Sequence, residues 1–343
     1  MQTKKIFLPW CLICILLAAA SPACKALAEG KGQVVIYTAV DQIFSEPVLK
    51  NFERKTGIRV KAVYDIEAVK TTGLVNRLLA EKANPCCDVF WNNEVVKTIV
   101  LKRRGVLKRY LSSMAGRIPE PFKDRDGFWT GFAARARVLI VNGRQMKNFP
   151  RPLGLMDLLD PGLRGKVAIA NPLFGTTATH VAALFAGWGP EQASRFLMDL
   201  KANQVRIVDG NSVVRDMVAS GAVLAGLTDT DDASVGLKAG LPLEMILPDQ
   251  QGMGTLVLPN TVSVVAGCPH PVQARALVDY LLSREVEQAL ADCPSAQMPL
   301  ADDVSVEPGA LSLDRIKAMD VDYGRVADQV KPAADFVRKY FLR

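Results

Sequence analysis

Histidine is nearly absent from this chain: its 343 residues include only His180 and His270. Neither GxSxG nor HExxH occurs, and beyond the first thirty residues no two cysteines stand at CxxC spacing. The familiar hydrolase arrangements and zinc centres depend on such groups, so the sequence argues against both. No long basic run exists either. The stretch "LKRRGVLKR" (101–109) reads as a helix end, where cations suit the dipole, and no nucleic-acid partner is expected.

Long apolar runs are also missing, except at the start. "MQTKKIFLPWCLICILLAAASPACKALAEG" combines Lys4 and Lys5, an apolar stretch from Ile6 to Ala20, and the small-residue site Ala26-Leu27-Ala28. That pattern is a removable secretory signal over residues 1–28. The run is short for a membrane span, and Pro9 interrupts it. A periplasmic or otherwise exported protein is expected, with lipid anchorage at Cys24 of "SPAC" as the alternative. Cleavage removes Lys4, Lys5 and Lys25, leaving 39 cations against 35 anions, a mild balance. Cys86, Cys87, Cys268 and Cys293 remain, and an oxidising compartment would allow a Cys268–Cys293 bridge.

What is present reads as strand, loop and helix in alternation. Strands are expected at 33–37, 58–65 and 87–91, with helices from Ser45 to Gly57, over 69–83 and over 94–105. A second set follows: strands at 136–142, 166–170, 205–210 and 222–227, with helices after 177, 211 and 228. Two β-rich runs lie in 254–267, and an amphipathic helix spans 271–291. Such alternation predicts open, mostly parallel α/β sheets. The length predicts two lobes, 29–133 with 262–310 and 134–261 with 311–343, joined by crossings near 131–140 and 255–264.

In open α/β sheets, ligands bind beyond the carboxyl ends of the strands, where helix amino-termini offer free N–H groups. Those ends carry Thr38 to Asp41, Trp91-Asn92-Asn93-Glu94, Thr176-Thr177 and Asn211-Ser212. The stretch "AVLAGLTDTDDASVGLKAG" (222–240) adds Asp229, Asp231 and Asp232 at the mouth of an apolar run. Thr177, Ser212, Asp229 and Asp231 also read as ordinary helix caps, and Trp91 as a core residue. Arg135 and Arg137 flank a strand and suit ion pairs, with Glu94 as the expected partner of Arg137 across the hinge. Arg215 opposes the dipole of its helix, which predicts an anionic partner in Asp231, Glu94 or a ligand.

"VVIYTAVDQIFSEPVLKNFERKTGIRVKAVYD", "NPCCDVFWNNE" and "GFAARARVLIVN" resemble the periplasmic solute-binding proteins of ABC importers, nearest the ferric-iron-binding branch. The resemblance spans nearly the whole mature chain and implies the two-lobed type II periplasmic-binding fold, a β-strand hinge and an inner-membrane permease as partner. Residue by residue, Asp41 stands where such ferric binders commonly carry histidine, and Glu94 or Asn93 where they carry glutamate. Their adjacent tyrosines would fall at Asp229 to Asp232, and no Tyr-Tyr pair occurs in this chain. A carboxylate iron site of Asp41, Glu94, Asp229 and Asp231 is the leading expectation, since carboxylates are hard oxygen donors. A phosphonate or aminophosphonate zwitterion is the alternative. Its anionic end would meet Thr176, Thr177, Asn211 and Ser212, and its cationic end the aspartates near Trp91.

The expected protein is a monomeric binder with no resident cofactor, its iron being cargo. Two competing classes use the same cleft: an enzyme with Asp231 or Glu94 as base or metal ligand, and a sensor for a membrane receptor.

Overall fold

The computed structural model describes residues 32–65, 70–307 and 310–343; the signal segment and Cys24 lie outside the described residues. Strand β1, Gln33–Thr38, buries Val34 and Ile36 and pairs in parallel with β2, Arg59–Tyr64, and with β3, Val89–Asn92. Between them lie α1, Gln42–Thr56, and α2, Thr72–Ala80; α3, Val96–Arg103, and the short β4, Leu107–Lys108, follow. Helix α1 ends at Gly57, whose φ of +73° suits glycine and lets its N–H close on the Glu53 carbonyl. Strand β5, Thr130–Asn142, is buried along its whole length.

Next come β6 (Val167–Ala170), α4 (Gly175–Gly187), α5 (Pro190–Ala202), β7 (Arg206–Val208) and α6 (Asn211–Ser220). Then follow β8 (Ala225–Asp229), α7 (Thr230–Lys238), β9 (Leu243–Ile246) and β10 (Val257–Val265). The chain closes with α8 (Pro271–Leu281), α9 (Arg284–Asp292) and α10 (Tyr323–Phe336).

The strands run in the order β2-β1-β3-β10-β5-β8-β6-β7, with β4 on β10 and β9 on β5. Each outer group is parallel, and β5 and β10 cross between them as an antiparallel pair. One hydrophobic core gathers Val34, Phe52, Phe90, Trp91 and Phe132. Two others hold Ile169, Leu184 and Leu227, together with Val96 and Ile99 of α3, and Val138, Val214 and Val257. Along β5 the seam falls between Ala133, in the first core, and Ala134, in the third.

The crossing contains a β-bulge. Pro259 faces Ala134 and Asn260 faces Phe132, so Ala133 has no partner on β10. Its φ is +43°, a left-handed conformation that costs a non-glycine residue about 1 kcal/mol.

Several elements differ from the sequence expectation. Helix α1 starts at Gln42, and Ser45 does not cap it; buried within the helix, its hydroxyl donates back to the Val40 and Asp41 carbonyls. Helix α4 starts at Gly175. The two β-rich runs in 254–267 are one strand, because the bulge absorbs the break in alternation. The helix expected over 271–291 is two helices. Ser283 interrupts it, its Oγ accepting the Val286 N–H at 3.4 Å, while the apolar spacing runs on through the break. Cys268 and Cys293 are both free: Cys268 is buried after β10, and the Cys293 thiol lies 2.9 Å from the Ser295 hydroxyl. Helices α5 and α10 and strand β9 were not expected.

Ser283→Ala removes the α9 cap and should lower stability by about 1 kcal/mol, read from urea unfolding of the mature protein.

Candidate functional site

Side chains two apart on a strand share a face, so Arg135 and Arg137 of β5 point the same way. Arg137 stands directly across the ladder from Asp229, the last residue of β8. Its Nη1 lies 2.6 Å from Asp229 Oδ1 and also donates to Thr176 Oγ1 and Asn211 Oδ1, both at 3.1 Å. Its Nη2 reaches Thr177 Oγ1 at 3.2 Å. Thr176 Oγ1 and Asn211 Nδ2 donate in turn to Asp229 Oδ2, at 2.6 and 3.0 Å. The amino-termini of α4 and α6 are thereby fastened to the end of β8.

Arg135 serves the first turn of α7, its Nη1 lying 2.8 Å from Asp231 Oδ2. One carboxylate oxygen from each of Asp229, Asp231 and Asp232 lies within 4.8 Å of the others. Arg135, Thr176, Thr177, Asn211 and the three aspartates line one small cavity. Asn171, Phe174 and Asp209 extend that wall, and Lys70 and Asn93 face it from the first lobe. Lys70 is ion-paired with Asp41, and Asn93 Oδ1 accepts from Thr71 Oγ1 at 2.6 Å. Two bonds join the lobes here: the Gly175 N–H donates to the Lys70 carbonyl at 3.1 Å, and Thr179 Oγ1 to Glu94 Oε2 at 2.9 Å.

The electrostatics follow from burial and neighbours. Burial pushes the Asp232 carboxyl well above the usual range, and the nearby Asp231, Asp229 and Asp41 add to the shift. Burial also raises Asp231, although the Arg135 guanidinium opposes it. Among described acids of the cluster, Asp232 has the weakest guanidinium contact, Arg215 Nη1 at 3.9 Å. His180 is buried 3.5 Å from Arg137 Nε, and burial plus that cation hold it well below its ordinary value, hence neutral. A cation arriving at Asp231 and Asp232 would relieve the strain on their charged forms.

Other expected residues are employed elsewhere. Trp91 is fully buried in the first core against Phe132, with ring centroids 5.4 Å apart. Thr38 is buried, and its Oγ1 accepts the Val40 N–H at 3.1 Å. Asn92 is buried beneath α3 and donates to the Glu94 carbonyl and Thr98 Oγ1. Glu94 accepts the Val96 and Lys97 N–H groups at 2.7 and 3.0 Å, so it holds the start of α3. The expected Arg137–Glu94 link is therefore absent; Thr179 takes that place. Asp41 and Glu94 do not join the carboxylate cluster, which Asp232 completes instead. Arg215 bonds Asp216 at 2.8 Å, with no bond to Asp231 or Glu94, and Ser212 does not line the cavity. Simple capping fails too, since Thr177, Ser212 and Asp229 make no side-chain cap bond.

The sequence reading omitted Lys70, Arg135, Asn171, Phe174 and Asp209 from the site. Asn171, Phe174 and Asp209 follow strand ends, and that same rule would have found them. Lys70 carries no local signal, because its place depends on how its loop crosses the cleft. No tyrosine lines this cavity among the described residues.

Residues 87–325 match the family of bacterial extracellular solute-binding proteins. The chain belongs to that family. Iron uptake protein A1 of Synechocystis sp. is 23% identical over 90% of this chain and 86% of its own. A Salmonella typhi periplasmic protein named for binding 2-aminoethylphosphonate is 23% identical over 74% of this chain and 73% of its own. The periplasmic binding protein AfuA of Actinobacillus pleuropneumoniae, solved with fructose-6-phosphate, is similar in structure, with a TM-score of 0.82 at 24% identity. The match covers 91% of this chain and 100% of AfuA. The fold is the two-lobed type II periplasmic-binding fold, and the family's role is to bind solutes outside the cytoplasm. No described helix is long and apolar enough to cross a membrane.

Two outcomes are expected of the ligand-free protein. Arg137→Leu leaves Asp229 buried without its cation and should cost about 3–5 kcal/mol in chemical unfolding. For Asp232, the raised native pKa means that the fold binds more protons than the unfolded chain between the ordinary aspartate range and that raised value. Its contribution to stability therefore falls as pH rises through that window. Asp232→Asn should raise the melting temperature at neutral pH and flatten the gain on acidification. An unchanged pH profile would remove Asp232 from this role.

Proposed function

We propose that this protein is the exported, monomeric solute-capturing component of an ABC importer, closing two lobes over one small solute and presenting it to the inner-membrane permease. The lobes are 29–133 with 262–310 and 134–261 with 311–343. The observation that carries the proposal is the polarity of one cavity between them. Its lining joins the amino-termini of α4 and α6 to Asp229, Asp231 and Asp232, with Thr176 and Asn211 bonded directly to Asp229. Such a site suits a solute that is anionic at one end and cationic at the other. Ligand contacts to both lobes exist only when they are closed, so binding shifts the open–closed balance by its differential affinity.

The first candidate is iron(III) carried with a bound anion. The three clustered carboxylates supply hard oxygen donors. The relative named for iron uptake supports it. The second is an aminoalkylphosphonate. It is favoured by the pairing of Asp229 and Asp231 with guanidinium groups, which leaves Asp232 better suited to an amine than to a full coordination sphere. An enzymatic or sensory role would use the same acids, and turnover of a phosphonate or phosphate ester lost in Asp231→Asn would reinstate the former.

A thermal-shift series on metal-stripped mature protein decides among these, because a ligand selective for the folded state raises its melting point. The probes are ferric citrate, citrate alone, manganese, calcium, phosphate and 2-aminoethylphosphonate. A shift with ferric citrate, absent with citrate alone and lost in Asp231→Asn, is expected for iron capture. A shift with the aminophosphonate alone replaces iron by the zwitterion. No shift with any probe overturns both.

A further inference from the structure

We propose that Asn260 is a positioning residue that couples the solute cavity to a hinge at Ala133; the cavity's role as solute site is the reading it rests on. Ala133 is the unpaired residue of the β5 bulge, left-handed, on the seam between two hydrophobic cores. A backbone rotation at that one residue changes how the two lobes sit. Both of its backbone groups are held by side chains. Its N–H donates to Glu287 Oε1 of α9 at 2.9 Å, and its carbonyl accepts from Asn260 Nδ2 at 2.8 Å.

Asn260 connects this bulge to the cavity. Its Oδ1 accepts from Arg135 Nη2 at 2.8 Å, and Arg135 Nη1 holds Asp231 at the cavity wall at 2.8 Å. Its Nδ2 also donates to Gln297 Oε1 at 2.6 Å. Asn260, Arg135, Glu287 and Gln297 are all at least 97% buried, so no water replaces a bond that breaks. The amide uses both donors and its acceptor at once, and it cannot turn toward Arg135 without releasing the Ala133 carbonyl. A change at Asp231 therefore reaches the hinge through two side chains, Arg135 and then Asn260, and only Asn260 of these bonds Ala133.

Amide hydrogen exchange on the mature, ligand-free chain tests this without a known solute. Asp231→Asn should speed exchange at Ala133 about tenfold or more and leave β1 amides unchanged, as for a local opening. In an Asn260→Ala background the same substitution should change the Ala133 rate by less than about twofold. Asn260→Asp retains an acceptor for Arg135 but loses the donor to Ala133, and it serves equally if the alanine variant does not fold. Equal effects of Asp231→Asn in both backgrounds, or none in the wild type, overturn the coupling. Ala133→Gly leaves every cavity side chain in place and should change affinity for ferric citrate or 2-aminoethylphosphonate about threefold or more. Wild-type protein that binds neither probe would remove both ligand candidates, while the exchange rates would still decide the coupling.

Discussion

Two guanidinium groups on a strand buried along its whole length constrain everything around them. Arg135 and Arg137 sit mid-sheet at 3% and 0% exposure, where an unpaired cation would cost several kcal/mol. Each needs a carboxylate within reach, and the end of β8 and the start of α7 supply Asp229 and Asp231. The acidic stretch after β8 is thus partly a counterion to β5. Thr176, Thr177 and Asn211 complete the donor and acceptor sets of the Arg137–Asp229 pair, and this ties the amino-termini of α4 and α6 to the same point. The cavity floor is a consequence of satisfying buried charge.

Pairing is uneven, and the unevenness is what leaves chemistry for a ligand. Asp229 is fully engaged, Asp231 shares one guanidinium, and Asp232 has only a distant one. The carboxyl group least matched by a cation is thus Asp232, while N–H groups at the helix starts favour an anion. The first lobe reaches this cavity through Lys70 and Asn93 and through the Glu94–Thr179 and Lys70–Gly175 bonds. Arg135 also leads away from the cavity, through the Asn260 amide, to the bulge at Ala133.

Much of this was legible in the chain. Alternating β-branched runs and glycine-terminated helices marked most elements, because local period and capping chemistry act over a few residues. The strand-end rule marked Asn93, Thr176, Thr177, Asn211, Asp229, Asp231 and Asp232, and all of them line one cavity. Thr38, Trp91 and Asn92, which the same rule also marked, do not line that cavity and are buried within the first lobe. The two-helix break at Ser283 was hidden because the apolar spacing continues across it.

By itself the sequence determined the alternation of elements, the parallel lobes, the acidic rim and the lack of histidine or paired tyrosine as ligands; these follow from residue identity and short-range spacing. Only the tertiary structure decided which charges neutralise one another. Arg137 chose Asp229 over Glu94, Glu94 took the start of α3, and Lys70 came to the cavity from a loop with no distinguishing pattern. Those choices depend on distances between segments far apart in the chain, and on the high cost of leaving a charge unpaired once the sheet has closed around it.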